Sequence, residues 1–320
     1  MAVYVVRRLL LGLLIVWGVY TLAFFIVAAG GSPFAGLENP KMTAADYHRL
    51  EVAWGYDKPV VERYFIQLGN LLSGDLGTSV VLKRPVLHLL GEALPKTLVL
   101  TLTALILEFV LGVALGILSA VRKGTRLDEG ITVGTLFLYS MPGFWLSTML
   151  VLVFAVKLGW LPSSGMHTEN ATGSGFFFDL LDVGKHLVMP VFVLGVTGAA
   201  GVARFQRSAV LEVIRQDYVR TARAKGLDER AVIGKHALRN ALIPVITLLG
   251  LSLPFLVSGA VITESIFAWP GMGQQVLQSI PSKDIQVVTG FTLMASIMVV
   301  LGNLLSDILY AVVDPRVRYS

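Results

Sequence analysis

The chain has 320 residues, of which 55% are hydrophobic and 15% charged, and its formal net charge is +5. Soluble domains carry about 25% charged residues, so this composition excludes a chain that is soluble by itself. There is no cysteine, which excludes disulfides, zinc–thiolate sites, iron–sulfur clusters and thiol nucleophiles. The basic balance is typical of charge held on the cytoplasmic side of a membrane protein, rather than of nucleic-acid binding.

Six apolar segments are predicted to cross the membrane, because a span needs roughly 20 mostly apolar residues. The first is longer than the roughly 7–15-residue core of a secretion signal and is therefore interpreted as a membrane helix. The second contains one charged residue, Glu108, and the fourth is short and expected to extend on either side. The predicted spans are 9–29, 98–121, 131–156, 187–203, 241–263 and 285–306.

A long connection follows the first span and contains a helical pattern. Val61, Phe65, Leu68 and Leu72 recur at helical spacing. They predict a short amphipathic helix, which either lies at the outer membrane surface or packs against the outer ends of the spans. The predicted regions are an N-terminal tail and first span, an extracytoplasmic loop, and a core with the other five spans: 1–29, 30–96 and 97–320.

Prolines and small residues predict how the spans bend and pack. Proline frees backbone carbonyls and kinks helices, and Pro142, Pro190, Pro244 and Pro254 lie in or beside spans. Small residues let membrane helices approach closely. The small residues Gly195, Gly198 and Gly201 of the fourth span, with Ala199 and Ala200, are therefore predicted to form an assembly face rather than a substrate site.

The distribution of Lys and Arg predicts the orientation. With the N-terminus inside, the short outer segments carry only Lys157, Lys185 and Lys283. The inner segments are far more basic, which by the positive-inside rule places both termini in the cytoplasm. Their basic residues are Arg7 and Arg8, then Arg122, Lys123 and Arg126, then nine residues between positions 204 and 239, then Arg316 and Arg318.

The most basic inner segment, 204–241, is predicted to be a docking surface for a soluble partner. Gly226 is typical of the position just past a helix end, and Asp228 stands where the N-cap of a second helix belongs, one that runs through Leu238. The alternative is a basic loop that only anchors topology against anionic lipid. The helix–Gly–cap–helix pattern favours docking.

The faces of the two helices are also predicted. In the first, Tyr218 and Ala222 share a face with Val213 or Ile214, since these positions fall about every four residues. Small residues on this elbow are expected to let a partner approach closely, namely Ala222, Ala224 and Gly226.

The segment resembles the EAA loop of the permease subunits of binding-protein-dependent ABC importers, and most of all the oligopeptide, dipeptide and nickel subgroup. The family pattern is Glu-Ala-Ala, three residues, Gly, nine residues, then Ile-x-Leu-Pro. Ala222, Gly226 and Leu238 match it, whereas the initial Glu, the Ile and the final Pro do not. The run Thr-Ala-Arg-Ala-Lys-Gly-Leu and the later His-Ala-Leu-Arg-Asn-Ala look like the peptide subgroup. Segments similar to the family also occur at 7–10, 74–77, 141–145, 264–273 and 314–319.

The resemblance implies an all-α integral membrane protein with six transmembrane helices, a type I ABC importer-like permease with a cytoplasmic coupling helix. It implies no enzyme activity and no cofactor on this chain, which has no Gly-x-x-x-x-Gly-Lys-Ser/Thr phosphate loop. ATP and Mg²⁺ would belong to two cytoplasmic ATPase subunits. The other implied partners are a second, paralogous permease, an extracytoplasmic substrate-binding protein and the bilayer of the inner or plasma membrane. The implied ATPase-coupling residues are Tyr218, Thr221, Ala222, Arg223, Ala224, Lys225, Gly226, Leu227 and Leu238.

Three further residues are candidates for the pathway or gate: Glu108, Glu264 and Trp269. A charge in mid-span costs about 2.5–3.5 kcal/mol on insertion scales. Glu108 is therefore either a pathway group that contacts a peptide amino terminus or a structural Glu between helices. Trp269 precedes a Pro-Gly turn signal and lies in a re-entrant gate loop, in a contact with the binding protein or in a plain surface turn. The five histidines lack metal-ligand spacing, and no metal site is predicted.

The predicted function is that of a permease subunit forming half of the path for peptides in an ATP-driven importer. Alternatives are an importer permease for a nickel chelate, a sugar or a polyamine, a proton-coupled secondary transporter and a membrane enzyme. Secondary transporters usually carry several intramembrane acids or histidines and internal repeats, and one Glu in six spans with no visible repeat argues against that class. A membrane enzyme needs convergent nucleophile, acid and base residues, which the pattern does not offer.

Overall fold

A computed structural model describes residues 2–36, 43–168, 175–258 and 260–313. Over these residues the chain is helical apart from turns, and the pairing of extended backbone is confined to an isolated bridge between Thr78 and Pro85. The all-α prediction is therefore confirmed. The terminal motif at 314–319, with Arg316 and Arg318, lies outside the described residues.

The helices follow one another in this order: α1 (Ala2–Ala29), α2 (Ala44–Ala53), α3 (Val60–Leu72), α4 (Val86–Val121), α5 (Arg126–Ser140), α6 (Gly143–Leu150), α7 (Phe176–Ile214), α8 (Asp217–Ala224), α9 (Glu229–Ala231), α10 (Leu238–Ala241), α11 (Ile243–Ser252), α12 (Phe255–Ser258), α13 (Val261–Ile266), α14 (Met272–Ser279) and α15 (Ile285–Val313). Two π-helical segments continue α6 and join α9 to α10: Val151–Lys157 and Val232–Ala237. A short 3₁₀ helix covers Pro33–Gly36.

Within the described residues, four helices are long and apolar enough to cross a membrane, and the number rises to six when each bent helix pair is taken as one span. The bent pairs are Arg126–Ser140 with Gly143–Lys157, at 97°, and Glu229–Ala241 with Ile243–Ser252, at 41°. The four unbroken spans are Val6–Ala29, Val86–Val121, Phe176–Ile214 and Ile285–Asp307. The six predicted segments correspond to the upper count.

Two predicted spans are broken rather than continuous. The segment predicted at 131–156 turns by 97° between α5 and α6, where Met141 and Pro142 lie between the helices. The segment predicted at 241–263 is interrupted before Pro254 and continues as the short helices α12 and α13. Proline lacks the N–H of a helical hydrogen bond, and its ring clashes with the preceding turn. A hydropathy window does not detect such breaks, because apolar residues flank both prolines.

The backbone contacts divide the chain into two compact units, 1–97 with 270–300 and 98–269 with 301–320. In the first unit, Tyr64 of α3 is buried against Tyr20 and Phe24 of α1. Its hydroxyl accepts a hydrogen bond from Trp17 Nε1 at 3.0 Å and lies 2.8 Å from Thr21 Oγ1. The helix predicted in the long connection is therefore present and packs on the first span.

The face by which α3 packs differs from the predicted one. Of the four residues in the predicted apolar stripe, only Leu68 packs against this core, whereas Val61, Phe65 and Leu72 are exposed. Tyr64 fills the contact because it presents an apolar ring with a hydroxyl that hydrogen-bonds α1. The helical spacing of apolar residues located α3, but its buried face depends on the contact with α1.

In the second unit, α7 is the longest helix, with 39 residues, and the predicted short fourth span lies wholly within it. Its small residues pack against α4 as predicted. A Cβ placed on Gly195 would lie 2.9 Å from Leu107 Cδ2, and one placed on Gly112 of α4 would lie 3.0 Å from the carbonyl oxygen of Ala199. Glycine at these positions allows the two backbones to approach closely.

Candidate functional site

The predicted docking segment forms a helical elbow, defined here as residues 215–241. α7 ends at Ile214, α8 begins at Asp217, and Gly226 follows with φ +77°. No heavy atom lies within 4 Å of a Cβ built on Gly226. Glycine is therefore favoured there by backbone conformation and not by space.

The second helix of the elbow begins where the sequence predicts. The Asp228 side chain accepts a hydrogen bond of 3.2 Å from the backbone N–H of Arg230, which satisfies one of the free donors of a helix start. The helix then runs to Ala241 through the π-helical turn at Val232–Ala237. The predicted N-cap is confirmed, and the π-turn is a feature that the apolar pattern did not indicate.

The elbow has a small core of its own. Val219, Ala222 and Val232 are 0%, 5% and 0% exposed and pack with Val213 of α7. Tyr218, predicted to share a face with Val213 and Ala222, is 43% exposed and is not part of this core. The break at residues 215 and 216 places Val213 on α7 and Tyr218 on α8, and Val219 fills the core beside Ala222 instead.

The structure also corrects the roles of the small residues. Ala222 is buried inside the elbow and does not offer close approach to a partner, whereas Ala224 and Gly226 are exposed. Tyr218 accepts a hydrogen bond of 2.8 Å from Asn240 Nδ2, which joins the first helix of the elbow to the end of the second. The Thr221 hydroxyl donates within its own helix to the carbonyl oxygen of Asp217 at 2.9 Å.

A two-pronged ion pair spans the glycine turn. Arg223 donates from Nε and Nη2 to the two carboxylate oxygens of Glu229, at 3.1 and 2.7 Å. The hydrogen bond that Arg223 donates to the Glu229 carboxylate raises the pKa of Arg223. Bidentate pairs fix geometry more strictly than single contacts, so the pair holds the two elbow helices at a set angle. This pair was not predicted from the sequence, although both residues lie within the predicted docking segment.

The elbow is anchored to the helices above it. Leu238 packs against a cluster of buried residues that contains Ala120 of α4 and Val210 of α7. The exposed surface carries Lys225 and Leu227, the latter 44% exposed. Packed side chains therefore join the elbow to α4 and α7.

An ion pair between the half-buried Arg207 and the buried Asp128 holds the same helix ends together and was not predicted from the sequence. Arg207 of α7 donates from Nε and Nη2 to Asp128 at 2.9 Å each. Asp128 also accepts a hydrogen bond from Ser119 and one of 3.0 Å from the backbone N–H of Gly124. This network joins α4, the α4–α5 turn, α5 and α7. An acidic residue just after the basic turn at 122–126 is the sequence signal that points to it.

Glu108 lies on a cavity of about 570 Å³ in the second unit. The cavity is lined by residues of α4, α5, α7, α11 and α12: Thr101, Ala104, Leu105, Glu108, Tyr139, Leu194, Gly198, Ser252, Phe255 and Leu256. Tyr139 and Phe255 are 57% and 67% exposed and stand at its open side.

The other two pathway candidates are placed elsewhere. Glu264 and Trp269 are both fully buried, and neither lines the cavity. Trp269 packs with Leu100, Ala104 and Val191, and its backbone N–H donates to the carbonyl oxygen of Glu264 at 2.8 Å. The interpretation of Trp269 as part of a plain surface turn is wrong, since its side chain is fully buried in a cluster within the second unit.

Comparisons with known proteins agree with this architecture. The family model "Binding-protein-dependent transport system inner membrane component" matches residues 112–319. The chain is 42% identical to the oligopeptide transport system permease protein AppB of Bacillus subtilis (strain 168), over 100% of both chains. It is 40% identical to the di/tripeptide transport system permease protein DppB of Pseudomonas aeruginosa (strain UCBPP-PA14), over 99% of both.

A solved structure shares the fold. A chain from inward-facing conformations of the MetNI methionine ABC transporter matches with a TM-score of 0.57 and 21% identity, covering 71% of this chain and 97% of that chain. At this identity the likeness shows the fold alone.

Proposed function

This chain belongs to the family of inner membrane components of binding-protein-dependent transport systems, and we propose on that premise that it is a permease subunit of an ATP-driven importer of peptides. The observation that carries the proposal is the end-to-end similarity, at 42% and 40% identity, to permease proteins of oligopeptide and di/tripeptide transport systems. The chain is a transport component and not an enzyme.

The elbow is proposed to receive the mechanical work of ATP hydrolysis. Support comes from its construction: it is helical, has its own core, is braced by the Arg223–Glu229 pair and is anchored through Leu238. A stiff element transmits a displacement into the helices that it joins, which a flexible loop does not do. The proposed contact residues are the exposed ones, Tyr218, Thr221, Arg223, Ala224, Lys225, Gly226 and Leu227, whereas Ala222 and Leu238 maintain the shape of the elbow from within.

The partners follow from this division of work. Two cytoplasmic ATPase subunits would hold ATP and Mg²⁺ and contact the elbow, and a substrate-binding protein would deliver peptide on the opposite side. A second, paralogous permease would complete the path. The distribution of Lys and Arg supports cytoplasmic termini and an inner-membrane location. The regions 1–29, 30–96 and 97–320 are proposed as tail and first span, outer loop and permease core.

Transport by the reconstituted complex tests the function. The chain is co-expressed with its partner permease, ATPases and binding protein, and uptake of radiolabelled trialanine into ATP-loaded proteoliposomes is measured. We expect uptake to require both ATP and the binding protein. It should be absent when a non-hydrolysable ATP analogue replaces ATP. Uptake of nickel or a sugar, with none of trialanine or other peptides, would overturn the assignment.

A further inference from the structure

The cavity on which Glu108 lies has a single ionisable carboxyl group among its lining residues. The rest of the lining is apolar, apart from the hydroxyls of Thr101, Tyr139 and Ser252. Among the residues that the structure describes, the lining contains no Lys, Arg or His. The guanidinium of Arg204 lies 4.1 Å from the centre of the Tyr139 ring and forms no ion pair with Glu108.

The carboxyl group of Glu108 has no hydrogen-bond or ion-pair partner in the part of the chain that the structure describes. This distinguishes it from the buried aspartates of the second unit, Asp128 and Asp182. Asp128 is held by Arg207, and Asp182 accepts two hydrogen bonds from Thr168, at 2.8 and 2.5 Å.

Glycine at position 198 makes room for the carboxyl group. A Cβ built on Gly198 would lie 2.6 Å from Oε2 and 2.8 Å from Oε1 of Glu108, which is too close for real atoms. The carboxyl group therefore lies directly on the backbone of α7. Its position is therefore set by packing on α7 rather than by a hydrogen bond or ion pair within the described residues.

Placing an unpartnered carboxyl group in the middle of a span costs about 2.5–3.5 kcal/mol on insertion scales. The cost is not offset if the group faces lipid. A bound cation offsets that penalty, because hydrogen bonds to charged groups contribute more than neutral ones. The volume of about 570 Å³ lies within the range of small-ligand sites, about 300–1,000 Å³. A small peptide brings a cationic amino terminus and apolar side chains, which match this lining.

We propose that Glu108 and the cavity beside Gly198 form a transport subsite for the positively charged α-amino group of the peptide. The inference rests on the proposed function and specifies the substrate class further: peptides with a free amino terminus. The subsite acts during passage through the membrane and is separate from recognition by the binding protein. If Glu108 were a structural residue, protonated between helices, the substitution Glu108→Gln would leave transport unchanged. Gln has the same shape as a protonated Glu and can still form hydrogen bonds.

The test compares trialanine with N-acetyl-trialanine in the reconstituted full complex, each at a concentration that saturates the binding protein. Any preference of the binding protein is common to all permease variants, so it cancels when variants are compared. The variants are Glu108→Gln, which removes the charge, and Gly198→Ala, which keeps Glu108 but displaces its carboxyl group. Glu129→Gln is the matched control, because Glu129 is an exposed carboxylate on α5 outside the cavity.

We expect Glu108→Gln and Gly198→Ala to lower trialanine uptake by on the order of tenfold or more, the factor that corresponds to one hydrogen bond to a charged group. N-acetyl-trialanine uptake should change little, so the preference for the free amine is lost in both variants and kept in Glu129→Gln. Unchanged preference in Glu108→Gln, or in Gly198→Ala when Glu108→Gln does not assemble, overturns the subsite. A wild-type complex that transports no peptide overturns the proposed function instead, so the two failures are distinguishable.

Discussion

The conformation of Gly226 offers the sharpest test of the elbow. Its φ of +77° lies in the left-handed region, and a Cβ there would meet no atom within 4 Å. A substitution at Gly226 therefore introduces backbone strain without steric clash. Left-handed backbone costs an L-residue roughly 1–2 kcal/mol, which corresponds to about a 5–30-fold shift between elbow conformations. β-Branched residues are least tolerant of this region and Asn is among the most tolerant.

We expect Gly226→Val to reduce peptide uptake per ATP hydrolysed by about 5–30-fold, with insertion and complex assembly unchanged, and Gly226→Asn to stay close to wild type. The measurement is paired uptake and ATPase assays on the reconstituted complex. Gly159→Val is the matched control, because Gly159 has φ +63° and equally open surroundings but lies outside the elbow. Coupled uptake at the wild-type level in Gly226→Val, or an equal loss in Gly159→Val, would refute the reasoning.

Two further outcomes concern the ion pairs around the elbow. Arg223→Ala and Glu229→Ala should each lower peptide uptake per ATP hydrolysed, and the swapped double variant Arg223→Glu/Glu229→Arg should recover part of it. The effect should be small, since exposed ion pairs contribute about 0.2–1 kcal/mol. A double-mutant cycle on uptake per ATP that gives no interaction energy between the two sites contradicts this bracing role. Asp128→Asn should lower the thermal unfolding midpoint of the detergent-solubilised complex by several degrees, because it weakens a buried pair and leaves Arg207 without its counter-charge. The exposed carboxylate variant Glu129→Gln should change stability by no more than about 0.5 kcal/mol, and equal effects of Asp128→Asn and Glu129→Gln would rule out a special role for the buried pair.

The sequence by itself determined the class of the protein and the positions at which the helices of its most charged segment begin and end. An apolar run of about 20 residues in lipid satisfies its backbone groups as a helix, and this rule located the spans, although it did not indicate the breaks at Pro142 and Pro254. Gly226 and Asp228 were identified as helix boundaries, since their roles depend on local backbone geometry that neighbouring residues dictate. Local rules of this kind need no knowledge of distant parts of the chain.

Tertiary structure decided which faces are buried and which charges are paired. Tyr64, rather than Val61 or Phe65, packs on the first span. In the elbow, Val219 is buried in the core and Tyr218 is exposed. In each case the helix was predicted correctly, but the buried face depends on partners that are remote in sequence.

The same holds for the charged groups. Asp128 and Arg207 are 79 positions apart in the sequence and pair across two helices. The carboxyl group of Glu108 fits at the edge of its cavity because position 198, on another helix, has no side chain. Hydrophobic periodicity records the surroundings of a residue along its own helix, whereas ion pairs and cavities arise between helices. Such contacts are fixed only when the helices are brought together.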